Sequence, residues 1–254
     1  MTKFSLEGKV ALITGSSSGI GRGAAVAFAE AGADVALVAR REEELARTAQ
    51  MVEKTGRRSL VIPADITHYA RFPDIVEMVA REFGRLDILV NNAGTTRRVA
   101  ALDMSEDDWD HVMDTNAKSV LFMSQAVAPV MIEGKCGGKI INTASLATDR
   151  ARENIAGYGA SKAAVAQITR TLALELAPHD IQVNAVAPGY IKTDLTEPLS
   201  RDEEFSDWVL ARVPAGRWGR PEDVAGVMVF LATPAADFIT GQVIYADGGW
   251  TAKM

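Results

Sequence analysis

The fold class this sequence predicts is α/β: a Rossmann-type, doubly wound parallel sheet of about seven strands with helices on both faces. Three observations predict it. Short, β-branched apolar runs alternate with longer amphipathic stretches from one end to the other. The runs are apolar at consecutive positions, as strands buried on both faces are. No internal repeat, low-complexity tract or Pro/Gly/Ser linker divides the chain, so one domain is expected over residues 1–254.

The strand runs, in order, are Val10–Thr14, Asp34–Val38, Ser59–Ile62, Asp87–Val90, Lys139–Thr143, Gln182–Val186 and Gln242–Tyr245. Between the first two, Ile20, Ala24, Ala27, Phe28 and Ala31 recur at helical spacing, which predicts a helix from Gly19 to Ala31. Ser105 followed by Glu106, Asp107 and Asp108 reads as a helix N-cap with acids in its first turn. Trp109 is expected to pack under that helix, and Met123 and Met131 to fill the core. From Tyr158 onward, Val165, Ile168, Leu172 and Leu176 form another apolar stripe. The rhythm breaks once, from Pro188 to Arg220, around a short amphipathic patch near Trp208–Arg212. Excursions this long are usually lids or binding loops, so residues 188–220 read as an insertion over the site. Trp208 and Trp218 either cover a substrate or pack the lid.

Composition excludes several functions. The 254 residues carry 27 Lys plus Arg against 33 Asp plus Glu, a net charge of −6. An acidic chain without a basic run is a poor candidate for nucleic acid or an anionic membrane surface. A single cysteine, Cys136, rules out an intrachain disulfide and a cysteine-cluster metal site. His68, His111 and His179 lack ligand spacing, so no metal is expected. The first residues hold no apolar core of signal length, and no run of about 18 apolar residues follows. The expected location is the cytoplasm.

The first strand runs from Thr14 into Gly15-Ser16-Ser17-Ser18-Gly19-Ile20-Gly21 and then into a helix. A glycine-rich turn there lets backbone approach a pyrophosphate, and the helix N-terminus supplies N–H donors and a positive dipole end. A dinucleotide sits at this joint in doubly wound sheets. Gly15 and Gly19 are four apart, unlike the commoner G-x-G-x-x-G, and no Gly-Lys-Ser/Thr of a triphosphate loop follows. The alternative is that the glycines only close a tight strand–helix joint. At the end of the second strand, Ala39 stands where an acid would hold a ribose 2′-hydroxyl, and Arg40 and Arg41 follow. Arginine there accommodates a 2′-phosphate, so NADP(H) is the preferred cofactor and NAD(H) the alternative. A purely structural reading pairs Arg40 and Arg41 with Glu42–Glu44 on a solvated helix start.

Tyr158 and Lys162 are four apart at the start of a predicted helix and so share one face. A free tyrosine is phenolate in only about one molecule per thousand at pH 7, and bringing its pKa near 7 needs roughly 4 kcal/mol. A unit charge about 4 Å away, at an effective dielectric of 20, supplies about that much. One well-placed ammonium would therefore make Tyr158 an acid–base group near neutrality. Ser145 ends a strand, where its hydroxyl can hydrogen-bond a substrate oxygen. Each residue alone is unremarkable, because Tyr-x-x-x-Lys falls on many helices by chance.

Together the pieces resemble the short-chain dehydrogenase/reductase family over essentially the whole chain. They are, in order, Thr14-Gly15-(x)3-Gly19-Ile20-Gly21, Asp65-Ile66, Asn91-Asn92-Ala93-Gly94, Asn116, Ser145, Tyr158-(x)3-Lys162 and Pro188-Gly189-(x)3-Thr193. The resemblance implies a catalytic set of Asn116, Ser145, Tyr158 and Lys162. Tyr158 would be the general acid–base and Lys162 would lower its pKa and hold the nicotinamide ribose. Ser145 would orient the reacting oxygen, and Asn116 would hold a water linking Lys162 to solvent. For the cofactor it implies Gly15, Ser17, Ser18, Gly19, Ile20 and Gly21, with Arg40 and Arg41 beside them. Asp65 and Ile66 would meet the adenine, while Asn92, Ala93 and Gly94 line the cleft. Pro188, Gly189, Ile191 and Thr193 would meet the carboxamide end. Many NADP-using members carry a basic residue just before the second glycine, where this chain has Ser18. The family also implies a homotetramer, with Asp108–Met131 and Gly157–Ala177 at the subunit contacts.

For the substrate, Thr95-Thr96-Arg97-Arg98, Asp107-Asp108-Trp109-Asp110 and Ala246-Asp247-Gly248-Gly249-Trp250 look like the gluconate 5-dehydrogenase and 2-deoxygluconate 3-dehydrogenase branch. There an arginine matching Arg98 would meet a sugar-acid carboxylate, whose two oxygens suit a guanidinium fork. The expected substrate is thus a small sugar acid or similar hydroxy/keto compound. Arg97, Arg98, Arg150 and Arg152 could equally be surface residues pairing with the acidic excess. The enzymatic rival is a 3-oxoacyl-(acyl-carrier-protein) reductase, whose acidic carrier would also welcome these arginines. The non-enzymatic rival is a dinucleotide-binding scaffold, whose mark would be loss of Ser145, Tyr158 or Lys162; all three are present.

Overall fold

Seven parallel strands form one sheet: β1 (Val10–Thr14), β2 (Asp34–Ala39), β3 (Ser59–Pro63), β4 (Ile88–Asn91), β5 (Gly138–Thr143), β6 (Ile181–Pro188) and β7 (Val243–Ala246). This computed structural model describes residues 3–253; residues 1, 2 and 254, the ends of the expected domain, lie outside them. The strand order is β3-β2-β1-β4-β5-β6-β7. It reverses direction between β1 and β4, where a doubly wound sheet opens its ligand crevice beyond the strands' carboxyl ends. Every residue of β1, β4, β5 and β6 is buried, which is why these strands are continuous apolar runs. The fourth strand starts one residue later than expected, although the Asp87 backbone still bonds to Val10 and Lys139 on either side, and its carboxylate accepts from the Val10 N–H at 2.9 Å.

The helices are α1 (Gly19–Glu30), α2 (Glu42–Glu53), α3 (Phe72–Phe83), α4 (Glu106–Met113), α5 (Ser119–Gly134), α6 (Ala156–Leu176), α7 (Glu197–Arg201), α8 (Glu203–Leu210) and α9 (Pro221–Ala232). Two apolar layers hold them to the sheet. Phe28 of α1, Leu45 of α2 and Met228 of α9 fill one face, and Phe72 of α3, Met123 of α5 and Leu172 of α6 fill the other. Ser105 caps α4 through a reciprocal hydrogen-bond pair with Asp108, as its sequence predicts. Trp109 corrects its expectation: it is 41% exposed, because α4 is short and turns that face outward. The amphipathic patch also starts earlier than Trp208, since Asp202 accepts from the Phe205 N–H at 3.0 Å and begins α8 there. Among the described residues, no helix is long and apolar enough to cross a membrane.

Beneath the carboxyl end of the sheet runs a buried polar chain. Asn91 Nδ2 donates to Asn142 Oδ1 at 2.9 Å, and Asn142 Nδ2 donates to Thr169 Oγ1 at 2.9 Å. It ties β4 and β5 to α6, the helix that carries Tyr158 and Lys162. Buried amides must be satisfied in this way or they destabilise the fold.

Candidate active site

The strand ends open into a cleft of about 620 Å³. Its floor is made by two turns stitched together. The Thr14 hydroxyl accepts from the N–H groups of Asn92 and Ala93 at 3.0 and 3.1 Å, and Asn92 Nδ2 donates to the Thr14 carbonyl at 3.0 Å. Gly15 adopts φ +67°, and a Cβ there would sit 2.7 Å from Ala93 Cα, so only glycine fits. Gly19 opens α1 with no side-chain cap and no acid in the first turn, which leaves that turn's N–H donors unclaimed. This cradle fits a pyrophosphate. Gly21 departs from its expected place in the lining. A Cβ there would strike the Gly15 carbonyl oxygen and lie 2.5 Å from Asn92 Nδ2, so this glycine serves close packing under the turn.

At the end of β2 the two arginines separate. Arg41 Nη2 donates to Ser18 Oγ at 2.8 Å and Ser17 Oγ at 3.3 Å, and it pairs with Asp194 at 3.6 Å across the cleft. Arg40 reaches only Asp65, at 4.0 Å. Glu44 is taken by Arg22 and Arg47, at 2.6 and 2.7 Å, so pairing with Glu42–Glu44 does not account for Arg40 and Arg41. The cation beside Ser18 thus comes from the turn after β2 rather than from the glycine loop. Burial works to raise the Asp65 pKa, but hydrogen bonds from Thr67 and the Arg40 charge hold it below the usual carboxylate value.

Ser145, Tyr158 and Lys162 line the inner end of the cleft together. Ser145 Oγ accepts from the Ala147 N–H at 3.1 Å, and its hydroxyl hydrogen-bonds with Tyr158. Lys162 Nζ lies 5.7 Å from the Tyr158 ring centre and donates to the Thr143 carbonyl at 2.6 Å. Here the structure differs from the electrostatic expectation. Burial raises the Tyr158 pKa above its ordinary value, and hydrogen bonding by Ser145 and the Arg98 charge only partly oppose it. Burial also depresses Lys162 to about 8. Desolvation penalises both charged forms, and with the ammonium aimed at a carbonyl it outweighs their attraction.

Asn116 is fully buried in a wide turn, Asp114–Lys118, that joins α4 to α5. Its Nδ2 donates to the Thr95 carbonyl at 2.9 Å and Ser161 Oγ at 3.0 Å, while Oδ1 accepts from the Thr95 N–H at 2.8 Å. Asn116 therefore pins the loop after Asn92 to α6. One Oδ1 lone pair remains, facing Gly94: a Cβ on Gly94 would be 3.4 Å from Asn116 Oδ1 and 3.8 Å from Lys162 Nζ. The missing side chain leaves a small gap between those two groups.

A second cavity, of about 250 Å³, adjoins Ser145 and Tyr158. Arg98, Arg150 and Arg152 line it, and no carboxylate among the described residues does. Burial and the neighbouring Arg152 charge lower the Arg98 pKa. Arg97 points elsewhere, to Asp108 at 3.9 Å. Trp208 and Trp250 close one end beside Tyr190, whose ring centre is 5.0 Å from that of Trp250. Trp218 instead packs the segment's own core, its Nε1 donating to Ser206 Oγ at 3.0 Å. Tyr190 lies within the segment 188–220 that the sequence places over the site, whereas sequence reasoning missed Trp250 as a lining residue.

The profile of a family described as enoyl-(acyl carrier protein) reductase matches residues 15–251. The chain is 48% identical over 253 residues to a 2-dehydro-3-deoxy-D-gluconate 5-dehydrogenase from Dickeya dadantii, covering 100% of this chain and 99% of that one. It is 42% identical over 244 residues to a 3-oxoacyl-(acyl-carrier-protein) reductase from Thermotoga maritima, covering 96% and 98%. Its fold is similar, with TM-score 0.95 and 40% identity over 99% and 98% of the chains, to the structure of a gluconate 5-dehydrogenase from Burkholderia cenocepacia in complex with NADP and tartrate. With that match spanning both turns, the tyrosine–lysine pair and the segment over them, the chain belongs to the short-chain dehydrogenase/reductase family, as an oxidoreductase acting on CH–OH groups.

Proposed function

We propose that this enzyme prefers NADP(H) and moves a hydride between the nicotinamide and a secondary alcohol or ketone of a small sugar acid. The observation that carries the substrate reading is the cavity beside Tyr158, lined by arginine without a carboxylate in a chain of net charge −6. The identities of the Dickeya and Burkholderia relatives support it. The cofactor reading rests on Ala39 at the end of β2, with Arg41, Ser17 and Ser18 grouped beside it.

When bound, the nicotinamide supplies or accepts the hydride. Tyr158 gives the carbonyl oxygen its proton in reduction and takes it back in oxidation. Ser145 donates its O–H to that same oxygen once the substrate enters, and Lys162 holds the ribose beside Tyr158. Asn116 positions this set by fastening the Thr95 loop to α6. Asp65 and Ile66 face the adenine end, with Asn92, Ala93 and Gly94 along the middle of the cleft. Pro188, Gly189, Ile191 and Thr193 frame the carboxamide end. Arg98 takes the substrate carboxylate through a charge-assisted hydrogen bond. Residues 188–220 act as the lid of a single domain.

A thioester reductase is the second reading, favoured by the Thermotoga relative and by the arginine rim. The side cavity of about 250 Å³ is small beside the roughly 300–1,000 Å³ usual for ligand sites, which argues for a compact polar substrate over an acyl chain. A turnover panel of gluconate-type acids and acyl thioesters, run with NADP(H) and NAD(H), decides between them. Activity on thioesters alone overturns the sugar-acid reading.

We also propose a cytoplasmic homotetramer. Leu121 on α5 and Leu174 on α6, 40% and 79% exposed, lie on the helices expected at the contacts. Light scattering should return four times the chain mass, and a monomer would overturn this assembly.

A further inference from the structure

The side cavity holds two guanidinium groups without an anion to meet them. Arg150 pairs with Asp149 at 3.8 Å, and Arg97, outside the cavity, pairs with Asp108 at 3.9 Å. Arg98 and Arg152 have no such carboxylate among the described residues, although both line the cavity. Both line the one cavity, and the Arg152 charge acts on Arg98 there. Like charges facing one small, partly dry space repel, and an entering anion relieves that repulsion.

Arg152 is also held in place. Its Cζ lies 4.4 Å from the ring centre of Phe205 on α8, a cation–π contact. Phe205 stacks on Trp208 with ring centres 5.4 Å apart, and Trp208 meets Trp250 at 5.2 Å. The aromatic cluster of the segment over the site therefore fixes where this charge sits. Arg98, for its part, acts on Tyr158 through its charge.

We infer that Arg152 is a specificity-determining residue: the substrate carboxylate bridges Arg98 and Arg152, one oxygen to each, and through Phe205 this ties α8 to the bound acid. The inference deepens the sugar-acid reading and rests on it. It also explains why a small aromatic-walled cavity would keep a second, outwardly redundant arginine.

The test uses the full-length enzyme with NADP(H) present. Steady-state constants are measured for a gluconate-type acid and for a neutral polyol or ketone of the same chain length, with wild type, Arg152→Ala, Arg152→Lys and Arg98→Ala. Arg152→Ala is expected to raise KM for the acid about ten- to hundredfold, the range of a lost charge-assisted hydrogen bond. The neutral substrate should change by less than about threefold, and Arg152→Lys should recover part of the loss. Tartrate serves as an independent probe: it should inhibit wild type and inhibit Arg152→Ala at least about tenfold more weakly. If wild type turns over the acid and Arg152→Ala leaves both its KM and tartrate inhibition unchanged, the bridge is wrong and the sugar-acid reading survives. If wild type turns over no acid at all, both fall together. Should Arg152→Ala fold poorly, the same comparison with Arg152→Gln decides, because it keeps most of the side chain's length and removes the charge.

Discussion

Lys162 Nζ donates a 2.6 Å hydrogen bond to the carbonyl oxygen of Thr143, tethering the ammonium on α6 to the last residue of β5. The tether fixes the cation beside Tyr158 but aims it past the ring, whose centre is 5.7 Å away. In the protein alone, burial therefore governs both groups, keeping Tyr158 protonated and weakening the charge on Lys162.

A protonated Tyr158 suits ketone reduction, in which it gives a proton. Alcohol oxidation needs the phenolate, whose fraction climbs about tenfold per pH unit below the pKa. Oxidation kcat/KM should thus rise steadily from pH 6 to 9 while reduction does not; a flat oxidation profile would contradict this role. Tyr158→Phe should abolish both directions and leave NADPH binding, followed by cofactor fluorescence, measurable.

Burial of Lys162 has a consequence for stability. Its folded pKa, about 8, lies below the ordinary 10.5. Below pH 8 both states carry the proton, so the folded state bears the whole desolvation penalty, on the order of 3 kcal/mol. Between pH 8 and 10.5 the folded state has released a proton that the unfolded state keeps, so stability rises with pH. Wild type should gain on Lys162→Met by that route in urea unfolding at pH 7 and pH 10. Parallel profiles for the two proteins would show that Lys162 is not the group responsible.

Cofactor choice should follow Arg41 more than Arg40, because Arg41 holds the Ser17 and Ser18 hydroxyls and Arg40 does not. Arg41→Ala is expected to weaken NADPH by about tenfold or more, the scale of one charge-assisted hydrogen bond, with little change for NADH. Titration of both cofactors checks it. Equal losses would remove the 2′-phosphate argument.

The Asn91–Asn142–Thr169 chain should behave as one unit. Asn142→Ala removes one hydrogen bond from the Asn91 amide, which keeps Ser124 Oγ, and one from the Thr169 hydroxyl, which keeps the Val165 carbonyl, all in a buried site. A loss of about 2–3 kcal/mol is expected, and a double mutant with Thr169→Val should lose less than the sum. Additive losses would mean the two bonds act independently.

The inner strands were legible because each is buried on both faces, a property written locally in its composition. Their ends slipped by a residue or two where Asn91 and Pro188, polar or imino residues, still belong to the ladder. The turn residues were legible for a similar reason: glycine at φ +67° and a helix start are local demands. Spacing alone left Gly21 ambiguous, since a missing side chain serves a ligand or a neighbouring loop equally well. It also left Arg40 and Arg41 undivided, because successive side chains on an extended segment point opposite ways and the sheet's twist decides which faces the glycine turn.

By itself the sequence determined the sheet, the dinucleotide cleft and the set Ser145, Tyr158 and Lys162, because periodicity, turn chemistry and one-turn helical spacing act over a few residues. Only the tertiary structure decided that Arg41 meets Ser18, that Arg98 and Arg152 line one cavity, and that desolvation dominates Tyr158 and Lys162. Those outcomes depend on charge separation and water exclusion, which arise when segments distant along the chain close around one space.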